Sequence, residues 1–255
     1  MKAIARTQVE AKVIDRDGGR AVTRSYLGGA GAIVPGPQAV IVEMHDAGAR
    51  IEPHFHDVDQ FQIFIGGSGS MGKHPVTPVS FHYADAFTPY GPIVAGCEGI
   101  SWFTLRLAAA SAVYGMPECR HMLQGKPGRA LSGTVSFGLA ASAPVLGAQD
   151  DGLAVTAVRL APNGAHEPAP AGGGGQFLLI CRGTVTQPGM AFPRLSLFQM
   201  DSGELSPHFA AGPEGADILM LQFARPSGRR GSDPSALAAR SSGSYDLPPG
   251  WKPLQ

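Results

Sequence analysis

The chain is poor in what many function classes require. Its three cysteines, Cys97, Cys119 and Cys181, are odd in number, widely spaced and in no CxxC pattern. That spacing predicts neither a disulfide framework nor a thiolate zinc cage. Charge of one sign is also missing, since Lys plus Arg and Asp plus Glu number twenty each. Without a net field to gather nucleic acid or anionic lipid, neither nucleic acid nor membrane is expected as a partner. No apolar run is long enough to cross a bilayer, and the opening stretch MKAIARTQVEAKVIDRDGG has no signal-like apolar segment. A cytoplasmic location is the expectation. P-loop glycines, a GxSxG elbow and an HExxH helix are absent as well.

What the chain does have is turn-forming residues, with 35 Gly and 22 Pro in 255 residues. Both break helix interiors, so many short strands joined by turns are expected. A length of 255 residues suffices for two compact domains. Two segments align without a gap over some seventy residues at a shift of 116. Gln60, Phe61 and Gly67 recur as Gln176, Phe177 and Gly183. Asp85 falls on Asp201, and the run Ala95 to Gly99 recurs as Ala211 to Gly215. Between these anchors lie AVIVEM, QFQIFI and WFTLRL in the first copy, and VTAVRL, QFLLIC and ILMLQF in the second. These are strand signals bounded by Gly and Pro, and they predict a duplicated barrel or sandwich.

The domain boundaries follow as 1–110, 111–226 and a polar tail over 227–255 rich in Pro, Gly and Ser, which is expected to be poorly ordered. AAASAVYGM reads as a short helix, and CRHMLQGKPGRALSGTVSFGL as the opening of the second unit.

In the first copy, His54 and His56 stand two residues apart. On an extended chain both imidazoles then point to one face, and Gln60 and Gln62 share that parity. If the strand lines a barrel, four polar side chains converge and need partners such as a metal, water or ligand.

The run from Gly48 through His54, His56 and Gln60 to Gly67 resembles the first signature of the cupin superfamily: Gly, HxH, Glu and Gly at the same spacings. The stretch Tyr83 to Glu98, with Pro89, Tyr90 and Gly91 as its PxG, resembles the second signature. The resemblance implies an all-β bicupin, two tandem jelly-roll barrels. The usual ligands are three His and one Glu; carried over, they fall on His54, His56, Gln60 and Val94. A Gln carbonyl can bind a metal without contributing charge, and Val94 cannot bind one. His82 and His45 lie on neighbouring strands and are conceivable substitutes, although the family alignment points Phe81 inward and so His82 outward. His74 is expected in a solvated loop. In the second copy the HxH positions become Pro170 and Gly172 and the last His becomes Ala210, while His166 and His208 lie off the signature. That barrel is expected to bind no metal and to serve as structural support.

Three functions compete on these residues. The first is a metal-dependent enzyme of dioxygenase or isomerase type acting on a small organic molecule. His54, His56 and Gln60 would hold Fe, Mn, Ni, Cu or Zn, with His82 a further candidate and Gln62 and Tyr90 facing substrate. The second is a metal-free isomerase or epimerase with the two histidines as acid and base. The third is a non-catalytic small-molecule-binding barrel. Exposed barrel edges also predict a homodimer.

Overall fold

The computed structural model describes residues 1–16, 19–28, 35–123, 128–138, 141–167 and 169–227. Beyond Ser227 the polar tail lies outside the described residues. The strands are β1 (Lys2–Ile4), β2 (Lys12–Arg16), β3 (Gly19–Leu27), β4 (Gln38–Met44), β5 (Arg50–Ile51), β6 (His54–Phe55), β7 (Gln60–Met71), β8 (His74–Val76), β9 (Ser80–Ala84) and β10 (Ile93–Arg106). They continue as β11 (Tyr114–Gly115), β12 (Ala130–Thr134), β13 (Ser142–Leu146), β14 (Ala154–Leu160), β15 (Ala165–His166), β16 (Gly175–Gln187), β17 (Met190–Pro193), β18 (Leu197–Asp201) and β19 (Phe209–Phe223). No helix among the described residues is long and apolar enough to cross a membrane.

The chain divides into two compact units. Ala11–Thr134 form the first barrel; Met1–Glu10 and Val135–Pro226 form the second. In the first, the strand order is β12-β9-β7-β10-β4-β3-β2; in the second it is β1-β18-β16-β19-β14-β13. The units are therefore not the contiguous spans that the composition marks out. β1, the first strand of the chain, pairs with β18 of the second unit. β12, expected to open the second unit, instead pairs with β9 of the first.

Strand register carries the duplication into three dimensions. In the first unit Thr104 faces Val40 on one side and Gln62 on the other, and Gln62 faces His82. In the second unit Met220 stands between Thr156 and Leu178, and Leu178 faces Phe198. Each residue of the second row lies 116 positions after its counterpart in the first. The bulges match too: Gly67 pairs with Ile100 and Gly183 with Ala216, just past a register shift in each case. Both glycines have positive φ, +66° and +72°. A Cβ at Gly67 would overlap the Gly99 carbonyl oxygen, and one at Gly183 would overlap that of Gly215. Only Gly suits such a place, because the left-handed backbone and the close approach both exclude a side chain.

Each unit buries its own apolar cluster. Met44, Phe64, Ile93, Ile100 and Trp102 anchor the first, and Phe192, Phe198, Phe209 and Ile218 the second. The AAASAVYGM segment is not helical. Its Ala110 amide donates to Gln38 Oε1, its Ser111 amide to Asp57 Oδ1, and its Ala112 carbonyl accepts from the His56 ring. Backbone groups tied to barrel side chains are unavailable for i to i−4 bonds, and Ala propensity loses to those contacts.

Candidate functional site

Side-chain parity on β4, β7, β9 and β10 fills one end of the first barrel with polar groups. Gln38, Arg106 and Gln60 lie side by side on β4, β10 and β7, with Ala84 opposite Gln60 on β9. The next row inward holds Thr104, Gln62 and His82. After it come Val42, Trp102 and Phe64, where the interior turns apolar. The equivalent end of the second barrel reads Ala154, Gln222, Gln176 and Met200, followed by Thr156, Met220, Leu178 and Phe198. Its guanidinium and its strand histidine are gone. His166 there is buried, stacked on Phe209 and beside the Ser206 hydroxyl. His208 is exposed.

His54 reaches the site from the short strand β6, and His56 and Tyr90 from the connecting segments beside it. His54 and Tyr90 exchange backbone hydrogen bonds, N to O in both directions, which brings the two rings to 4.6 Å. The His54 and His56 rings are 5.3 Å apart, and His82 lies 5.3 Å from Tyr90 on another side. Phe55, between the two histidines, points the opposite way and stacks on Tyr114. His82 is thus turned in toward Tyr90, not outward as its family position implied. The error lay in the assumed facing of Phe81: both Phe81 and His82 are buried, so neither face of β9 meets solvent. His45 and His74 are exposed and take no part.

The tautomers of two imidazoles follow from their partners. Nδ1 of His54 lies 2.7 Å from the Glu52 carbonyl oxygen, and Nδ1 of His56 lies 2.7 Å from that of Ala112. A carbonyl oxygen only accepts, so each Nδ1 carries the hydrogen and each Nε2 keeps its lone pair. Burial holds His56 well below its usual pKa, with the Arg106 charge and His54 pushing the same way. Neutral His56 is therefore a base at pH 7. Burial also pushes His82 down to about 4; its Nδ1 contacts Ser132 Oγ and its Nε2 has no partner. Tyr90 is held up at about 12 by burial, against the pull of Arg106 and Gln60, so it remains a phenol.

Arg106 and Gln38 escaped the sequence analysis. Arg106 donates Nε and Nη2 to Gln60 Oε1 at 3.1 and 3.0 Å, and Nη1 to Gln38 Oε1 at 3.0 Å. Gln60 Nε2 lies beside the Tyr90 hydroxyl, short of a well-formed hydrogen bond, and Gln62 Oε1 is buried without a partner. Burial lowers the Arg106 pKa, while Tyr90 and the Asp57 carboxylate pull it back up; Asp57 is itself bonded to the Ser111 amide and hydroxyl.

Duplicated sheets in matching register, with an HxH segment at one barrel mouth, define a tandem cupin fold, the bicupin arrangement of jelly-roll units. No protein-family model and no curated protein matches the chain. Solved structures do. A candidate dioxygenase from Nostoc punctiforme superposes with a TM-score of 0.59 at 12% identity, over 86% of this chain and 81% of that one. Oxalate decarboxylase from Lactobacillus farciminis, solved with formate, gives 0.59 at 11% identity over 88% and 86%. Pirin from Escherichia coli, in complex with nickel(II), gives 0.56 at 10% identity over 88% and 99%. Identities this low establish the fold and leave the chemistry to the side chains.

Those side chains depart from the ligand set that the resemblance implies at two of its four positions, Gln60 and Val94. Among the described residues, no three His, Cys, Asp or Glu are gathered so as to hold a metal ion. At the position of the usual Glu, the Gln60 oxygen is capped by a guanidinium. At the position of the last His, Val94 offers no donor atom. A fixed cation beside the pair of imidazoles opposes a second one, because like charges in a dry site repel strongly.

Proposed function

We propose that this chain is a small-molecule enzyme of the cupin fold that works in its first barrel by proton transfer, as an isomerase or epimerase. The observation that carries this reading is the Arg106 guanidinium on Gln60 Oε1, which puts a fixed positive charge where the family resemblance places an anionic ligand. His56, held neutral by burial, offers a lone pair on Nε2 at neutral pH, and the His54 ring stands 5.3 Å from it. The His56 Nε2 takes a proton from a carbon next to a carbonyl, and the oxygen that gains negative charge is stabilised by Arg106 or the Tyr90 phenol. The same imidazolium returns the proton to the neighbouring atom, or, for epimerisation, the planar intermediate turns over in the site and the imidazolium delivers the proton to its other face. Atoms and electrons balance with no co-reactant.

Incubation in heavy water with a panel of 2-hydroxy and 2-oxo acids, sugars and phenolic ketones tests the proposal. Carbon-bound hydrogen should exchange in at least one of them, and exchange should fall by about 100-fold or more in His56→Ala or His54→Ala, the usual scale of a lost general base. Exchange that is undiminished in both variants would refute it.

A second reading has one observation in its favour. Imidazoles whose Nδ1–H groups are anchored on carbonyls present Nε2 as metal-binding histidines do, and the pirin of the same fold was solved with nickel(II). In that reading Gln60 must leave Arg106 to become a ligand. A non-catalytic binding barrel is the third reading, and the heavy-water experiment separates it from the first. A cytoplasmic homodimer completes the proposal.

A further inference from the structure

We propose that the molecule entering the first barrel is an organic anion whose carboxylate seats on Arg106. This rests on the reading above only in that a small molecule enters this barrel. Arg106 is 9% exposed and, among the described residues, is in no ion pair. A guanidinium has five N–H groups. Three are used, two on Gln60 Oε1 and one on Gln38 Oε1, which leaves one on each terminal nitrogen.

Both acceptors are neutral amides, and the one carboxylate whose charge acts on Arg106, that of Asp57, is bonded to Ser111 instead of to the guanidinium. Burying a charge without a counter-charge is costly, and a fold that keeps one at a barrel mouth is pre-arranged for an anion. Gln38 and Gln60 hold the guanidinium in place from both neighbouring strands, and a locked guanidinium loses little freedom on taking a carboxylate.

The surroundings fit the same ligand. His82 Nε2, one row further in than Arg106, is buried without a partner, and Gln60 Nε2, in the same row as Arg106, has only the Tyr90 hydroxyl beside it. Either can donate to a ligand oxygen, His82 as the Nε2–H tautomer. Among the described residues, Asp57 is engaged by Ser111, and Asp85 by Tyr83 and Arg129, so neither is hydrogen-bonded to Arg106. At the matching place in the second barrel, Gln222 replaces Arg106 and closes onto Gly152 and Gly172, so no cation stands there. The fold does not need a guanidinium at this site, which points to a ligand as its reason.

The test compares charged probes with neutral isosteres of the same shape: acetate with acetamide, benzoate with benzamide and malonate with malonamide. Binding is read from the Arg106 Nε–H resonance and from melting temperature. The expected result is saturable binding of at least one carboxylate, at least tenfold tighter than its amide, with the Arg106 resonance shifted at saturation. Arg106→Gln should lose that preference, while Arg106→Lys keeps part of it.

Equal binding of carboxylate and amide, binding that leaves the Arg106 resonance in place, or no carboxylate binding at all would overturn the proposal. The wild-type comparison decides the matter even if Arg106→Gln fails to fold. Carboxylate preference without hydrogen exchange in any compound would sink the proton-transfer reading and leave the anion site standing. Exchange confined to neutral compounds would do the reverse.

Discussion

The carbonyl oxygen of Gln60 accepts two hydrogen bonds from a single guanidinium, from Arg106 Nε at 3.1 Å and from Nη2 at 3.0 Å. This pair separates the two readings of the site. With its oxygen bound to the guanidinium, Gln60 holds a charge in place and must release it before it can coordinate a metal.

Replacement Gln60→Glu therefore gives Arg106 a counter-ion. The variant should carry no more metal than the wild type by elemental analysis. Its new carboxyl would have a depressed folded pKa, so the added stability is present near neutral pH and disappears as pH falls through that value. Stoichiometric metal in the Gln60→Glu protein would contradict this account.

Acid should unfold the protein through its buried histidines. His82 is pushed from the ordinary 6.5 to about 4, so between those values the unfolded chain binds a proton that the folded chain refuses. Stability accordingly falls as pH is lowered through that window, by roughly 3 kcal/mol at most for this group. His56 acts in the same direction. Urea titrations of His82→Gln from pH 7 to pH 4 should show a shallower loss. An unchanged acid limb would mean that His82 is solvated.

Asp85 fastens β12 to the first barrel. Its carboxylate accepts from the Arg129 backbone amide, from that residue's Nε and Nη2, and from the Tyr83 hydroxyl. Asp85→Ala should destabilise by about 2–4 kcal/mol, since it leaves several donors unpaired. In hydrogen exchange, protection should fall first over Ala130–Thr134. Uniform loss across both units would show that the clasp is not local.

The two bulge glycines should respond alike. Gly67→Ala and Gly183→Ala each force a Cβ against a carbonyl oxygen in a left-handed backbone. A loss of at least about 2 kcal/mol is expected at each site, from strain plus displaced backbone. Thermal melts of the two variants would expose any inequality between the repeats.

Much of this architecture was legible in the chain. The shift of 116 from Gln60 to Gln176 reappears as identical strand register, and the spacing of His54 and His56 does bring their rings together. What stayed hidden had physical reasons. In WFTLRL, Trp102, Phe103, Leu105 and Arg106 are all buried, so the apolar run does not betray which alternate set faces the interior. Parity with Gln60 and Gln62 across β7 and β10 would have placed Arg106 among the site residues. The strand partners of β1 and β12 depend on contacts more than 40 residues away in sequence, which composition does not record.

The central claim is that the first barrel holds a fixed organic cation, Arg106, in place of a metal centre. Elemental analysis of protein purified without chelator or affinity tag, beside a His54→Ala/His56→Ala control, tests it most directly. The account predicts far less than one equivalent of Fe, Mn, Ni, Cu or Zn, with no difference between the two samples. Close to one equivalent in the wild type, lost in the control, would contradict it and make the two histidines metal ligands.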